Sequence, residues 1–109
     1  MVAALAALNP DVVVIPFVFQ APPESNVENQ KELAGWVSRT AIAVADPTIG
    51  VNNVGAVGGN TGAPGHMAMG VGNTYCGASN WADGSGQTMA VAADRDVDLA
   101  FWTVPTNQK

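Results

Sequence analysis

At 109 residues the chain is the size of one domain and can bury roughly two thirds of the surface its unfolded form exposes. Its formal net charge is −5, with Lys31, Arg39, Arg95 and Lys109 as the only cations. No basic stripe is available to neutralise phosphates, which argues against nucleic acid and anionic membranes as partners. Charged residues make up 12% of the chain, about half the usual share, and between Pro47 and Trp81 only His66 titrates near neutral pH. A surface so poor in charge favours association.

Residues 2–8, rich in Ala and Leu, predict a short helix or an extended arm that needs a partner surface. No Lys or Arg precedes this apolar stretch and Asn9-Pro10 follows it, so it reads as mature structure and not as a secretion signal. Pro10, Asp11 and Pro16 interrupt the best apolar run, short of the roughly 18 residues that span a bilayer. Asp11–Gln20 (DVVVIPFVFQ) is dense in β-branched and aromatic residues and predicts a strand buried on both faces. Pro16 cannot donate to a ladder, so this strand belongs at a sheet edge or carries a bulge.

Ser25-Asn-Val-Glu28 matches the S-x-x-E capping box and predicts a helix from about Asn26 to Ala34, ended by Gly35. Trp36–Ala45 then reads as a strand, with Trp36, Ser38, Thr40, Ile42 and Val44 on one face. The competing pattern is a helix running on to Arg39 with Val27, Ala34 and Val37 inward; the β-branched content favours the strand. Asp46-Pro47 is a break.

Eleven of the twelve glycines lie between Gly50 and Gly86, around short strand-like pieces such as His66–Val71. Asp83-Gly84 is a tight-turn signal. Gln87–Ala93 and Val97–Val104 flank Asp94-Arg95-Asp96 as a β-hairpin, closed by Pro105. These elements predict an all-β domain, mainly β with one short helix, built as a small sandwich or barrel with extended terminal arms. It occupies residues 1–109 as a single domain, with 1–10 as an interaction arm.

The glycines match no phosphate cradle. Lys31 and Lys109 lie far from any glycine run that could make a P-loop, and Gly70-Val-Gly72-Asn-Thr-Tyr75 lacks the third glycine of the dinucleotide fingerprint. Turns and close backbone approach explain them instead. Gly77-Ala-Ser79-Asn-Trp81 begins like a nucleophile elbow but carries Trp81 where glycine is required, so Ser79 and Asn80 read as turn residues. Cys76 and His66 are the one possible thiolate and imidazole pair, and sequence leaves open whether they meet.

Asp94, Asp96 and Asp98 alternate as calcium ligands could, yet Leu99 and Pro105 stand where an EF-hand needs glycine and glutamate, and a solvated hairpin tip accounts for them. One His and one Cys do not make a zinc site. Glu28 and Glu32 read as an exposed helix face. Trp36, Trp81 and Trp102 suit core or interface anchors better than a stacking platform. No cofactor and no metal is predicted.

An apolar strand-rich chain with an uncharged middle and no catalytic constellation suits a protein whose partner is another copy of itself or a larger shell. Met89-Ala-Val-Ala-Ala-Asp94 is similar to a strand segment of the small capsid decoration proteins of lambda-like bacteriophages, and the chain resembles such cement proteins in size and style. The resemblance implies a virion structural protein at the capsid surface that clamps neighbouring capsomers, as a homo-oligomer of which a trimer is one form. Leu5, Leu8, Val12, Val14 and Phe17 near one end, and Phe101 and Trp102 near the other, are the expected apolar anchors. The alternatives are a small hydrolase using Cys76 and His66, and a carbohydrate-binding β-module using Trp81 and Asp83.

Overall fold

The computed structural model describes residues 2–18, 20–56, 74–92 and 101–106. In chain order these form α1 (Val2–Ala7), β1 (Val13–Pro16), β2 (Gln20–Ala21), a 3-10 turn (Pro23–Ser25), α2 (Asn26–Val44), β3 (Thr48–Val51), β4 (Val54–Ala56), β5 (Thr74–Cys76), β6 (Asn80–Ala82) and β7 (Thr88–Val91). The fold is therefore mixed α/β, and the all-β expectation is wrong.

The error lies at Gly35. Helix α2 runs 19 residues straight through it, because Leu33, Val37, Thr40, Ala41 and Val44 are all buried and recur at helical spacing. A mid-helix glycine costs about 1 kcal/mol, whereas fully burying a Leu or Val side chain returns about 1.5–3 kcal/mol each. Burial wins over both glycine and β-branched propensity. The rejected helical pattern was right about Val37 but not about Val27, which is exposed.

Ser25 is the N-cap residue, yet its side chain makes no capping bond. The helix is entered instead through the 3-10 turn, with Ser25 N–H donating to Pro22 O at 2.9 Å. At the other end Ala45 turns left-handed (φ 59°), and Asp46 and Pro47 are buried behind it.

Two sheets share α2. The first has the order β1-β3-β6-β7, and the second β2-β5-β4. Strand β1 is parallel to β3, with Val13 opposite Thr48 and Pro16 opposite Val51; β6 is antiparallel to β3 and to β7. Pro16 thus sits on an edge strand, as its missing N–H requires. The register puts Val13, Ile15, Thr48, Gly50, Asn80 and Ala82 on one face, since side chains alternate along a strand.

That face meets α2 in a core of Val37, Ala41 and Ala82 with Phe17 against it. Gly50 is what lets the helix come so close: a Cβ there would lie 2.5 Å from Val37 Cγ2. The opposite face carries Val14, Pro16, Ile49, Val51, Trp81 and Ala90.

The Asp83-Gly84 turn joins β6 to β7, closed by Asp83 N–H to Gln87 O and Gly86 N–H to Asp83 O. Gly86 takes φ 89°, and a Cβ on it would strike Ile42 Cδ1. Strand β7 falls within the predicted Gln87–Ala93 segment, but its partner is β6, and residues 101–106 hold no strand. The rest of the predicted hairpin, Asp94, Asp96 and Asp98, and the His66–Val71 piece lie outside the described residues.

Candidate functional site

Polar side chains gather where the two sheets meet. Strand β3 ends at Val51 and β5 at Cys76, and the next residue of each segment enters the junction. Gly77 and Ala78 both have positive φ, 58° and 57°, so the chain leaves β5 by a turn with two consecutive left-handed residues. Glycine adopts this readily; alanine does so at a cost of order 1–3 kcal/mol.

The turn is held from both sides. Asn52 Nδ2 donates to Gly77 O at 3.1 Å and to Cys76 Sγ at 3.2 Å. The Asn52 N–H donates to Ser79 Oγ at 2.8 Å, and that hydroxyl donates to Asn52 O at 3.2 Å. Gly77 N–H reaches Asn53 O, and from α2 Gln30 Nε2 donates to Cys76 O at 3.0 Å. Nearer the helix start, Thr74 Oγ1 donates to Asn26 Oδ1 at 3.0 Å.

Cys76 is fully buried. Burial pushes its thiol above the ordinary range, and the hydrogen bonds from its own backbone and from Asn52, which pull downward, do not cancel this. A neutral, enclosed thiol holding a hydrogen bond is not an activated nucleophile. His66, the base expected beside it, lies outside the described residues.

Beside the junction a groove of about 290 Å³ opens between α2 and the β6/β7 edge, lined by Val27, Gln30, Lys31, Ala34, Ala78, Asn80 and Val91. Asn80 is buried; its Nδ2 donates to Ala78 O, while Oδ1 has no partner. Lys31 at the rim is exposed and lies 3.9 Å from Glu28. Among the described residues, no three His, Cys, Asp or Glu side chains converge to hold a metal ion, and no helix is long and apolar enough to cross a membrane.

The apolar anchors expected from sequence meet different fates. Phe17 packs on the core, and Leu5 is half-buried in α1, which contacts α2. Leu8 and Phe101 are 76% and 85% exposed. Val12 and Val14 are exposed, and Trp102 is half-buried. The sugar-binding pair is not presented: Trp81 is buried, and Asp83 Oδ1 is taken by its own turn through Ser85 N, Ser85 Oγ and Gln87 N. Trp36 is exposed, with the Arg39 guanidinium 5.0 Å from its ring centre. Sequence reasoning missed Gln30 and Asn52; the polar pairs Asn52-Asn53 and Ser79-Asn80 at strand ends were the available signal.

Neither a protein-family profile nor a curated protein matches the sequence. Among solved structures, the fold superposes on the crystal structure of a carbon-nitrogen hydrolase from Helicobacter pylori G27. The TM-score is 0.63 and the identity 26%, over 87% of this chain and 32% of that one. The chain thus spans about a third of the length of the hydrolase it matches. This likeness and the mixed α/β fold overturn the capsid decoration reading, with its virion role and β-rich character: six small residues in β7 and beyond do not carry a family when the whole architecture points elsewhere.

Proposed function

We propose that this chain is a unit of a carbon-nitrogen hydrolase, and that the protein built on it hydrolyses a carbon-nitrogen bond. The observation that supports this is the superposition on the Helicobacter pylori enzyme at a TM-score of 0.63 over 87% of the chain. The identity of 26% adds sequence agreement to shared architecture. Within this reading the Asn52, Cys76 and Ser79 junction is a positioning device. It fixes the end of β3 against the turn after β5, and Cys76 serves there as a buried acceptor and not as the attacking thiol.

The test is ammonia release from a panel of short aliphatic and aromatic amides and nitriles, with wild-type protein and Cys76→Ala. Release from at least one substrate, retained in Cys76→Ala, is the expected result. No release from any member overturns the hydrolase reading. Release that disappears in a folded Cys76→Ala variant makes Cys76 the nucleophile and overturns its positioning role.

A further inference from the structure

Asn80 is a polar residue in an apolar position. Strand register sets it on the face that α2 covers, between Gly50 of β3 and Val91 of β7, with Ile15 and Ala82 on the same face. It is 1% exposed. Its Nδ2 donates to Ala78 O at 3.0 Å, which fixes how the amide is turned. Oδ1 is then the one buried side-chain oxygen or nitrogen among the described residues that has no hydrogen-bond partner. Such atoms are rare in native folds, because the loss of their hydration goes uncompensated.

The surroundings offer room for a partner. Val91 lies directly across from Asn80 and so shares its face, yet it is 58% exposed: α2 stops short of covering β7, and the groove of about 290 Å³ is the space left. That is the volume of about ten waters. Val27 and Ala34 from the helix and Val91 from the strand make its walls apolar. Val27 is 61% exposed, so both valines are free to rotate aside and admit a group to Oδ1. Ala78, another lining residue, has φ 57°, backbone strain of the kind that gathers at ligand clamps. At the rim Lys31 Nζ lies 3.9 Å from Glu28, with both side chains mostly in solvent. So loose a surface pair contributes little, and the ammonium can turn to another anion.

The chemistry of the lining selects its ligand. One neutral acceptor matches one O–H, whereas an ammonium would take three donors out of water for a single acceptor, and a carboxylate has no donor to offer. We propose that the groove binds a short aliphatic hydroxy acid. Its hydroxyl donates to Asn80 Oδ1, its methylene chain lies against Val27, Ala34 and Val91, and its carboxylate pairs with Lys31 Nζ at the rim. The site stands apart from the hydrolase reading, and either can fail alone.

The probe is ω-hydroxyhexanoate, titrated into the full chain and followed by NMR at the side-chain amide of Asn80; hexanoate, which lacks the hydroxyl, is the reference. The hydroxy acid should shift that signal saturably and bind about tenfold tighter than hexanoate, as pairing a buried acceptor requires. Asn80→Leu should abolish the preference by weakening the hydroxy acid alone. Lys31→Gln, at an exposed position, should weaken both acids about two- to fivefold. Comparing two acids on one variant separates loss of the preference from loss of folding, and should Asn80→Leu unfold, the wild-type preference and Lys31→Gln decide the matter. No saturable shift at Asn80, equal affinity for the two acids, or a preference that survives in folded Asn80→Leu overturns the site. Lys31→Gln without effect on either acid overturns the carboxylate contact and with it the ligand class.

Discussion

Helix α2 docks by two different kinds of contact along its length. Its C-terminal half, with Val37, Thr40, Ala41 and Val44 buried, meets β3 and β6 by shape, close enough that only glycine fits at position 50. Its N-terminal half reaches β5 through amides, Gln30 to Cys76 O and Asn26 to Thr74. Apolar contact is strong and tolerant of small rearrangements; hydrogen bonds fix geometry but add little net stability. The first half therefore supplies cohesion and the second sets where the turn after β5 lies.

Perturbing the two halves should separate these roles. Leu33→Ala, at a fully buried position near the middle of the helix, should lower the unfolding free energy by about 2–5 kcal/mol in denaturant titrations. Gly50→Ala should follow at about 1–3 kcal/mol, and Val37→Ala should recover part of that loss in the double variant by removing the atom that the new Cβ meets. Equal and additive losses would show that the close approach at Gly50 is not what limits packing.

On the polar side, Asn52→Ala should cost about 1–3 kcal/mol. The loss should show in amide hydrogen exchange as faster exchange at Gly77 before any change within β3 and β6. Native Cys76 should alkylate far more slowly than the unfolded chain, with a rate that climbs only above the ordinary thiol range, because burial raises its pKa. Asn52→Ala removes a bond that pulls the thiol pKa down, so in the folded variant the rate should start to climb at a higher pH still. A native thiol as fast as a free one would contradict its burial.

The smallest effect belongs to the β6-β7 turn. The Ser85 hydroxyl, ahead of the backbone N–H groups, holds the Asp83 carboxyl below its ordinary value. A depressed folded-state pKa gives a contribution that is present above the unfolded value and lost as pH falls through the folded one. Ser85→Ala should move the Asp83 titration, followed by NMR, upward toward the ordinary aspartate range. An unmoved midpoint would make the backbone donors the main cause.

The local punctuation of this fold is visible in its sequence: Asp46-Pro47 follows the end of α2, Pro16 marks an edge strand, and Asp83-Gly84 turns β6 into β7. What misleads is the middle of α2, where Gly35 and a β-branched run imitate a strand and only the spacing from Leu33 to Val44 betrays the helix. That spacing becomes decisive once there is a sheet to pack on, which no local window contains. The junction is harder still. Asn52 meets Ser79 across 27 residues and Gln30 meets Cys76 across 46, and nothing in a short polar pair tells which distant strand end it will hold. Cys76 is conspicuous in sequence for being unique, and its environment makes it a hydrogen-bond acceptor.

The parallel pairing of β1 with β3 also bears on how the chain organises itself in time. Parallel neighbours cannot be joined by a tight turn, and here β2 and all of α2 lie between them. Contacts of such long sequence separation form slowly, because loop-closure entropy is lost before any pairing rewards it. The helix shortens that search by folding locally, leaving two strand ends to register on its surface. Residues such as Val37, which join helix to sheet, are then expected to form the folding nucleus, and the Asn52 junction to lock last, so that a newly made chain has a stable helix and sheet before its polar turn is set.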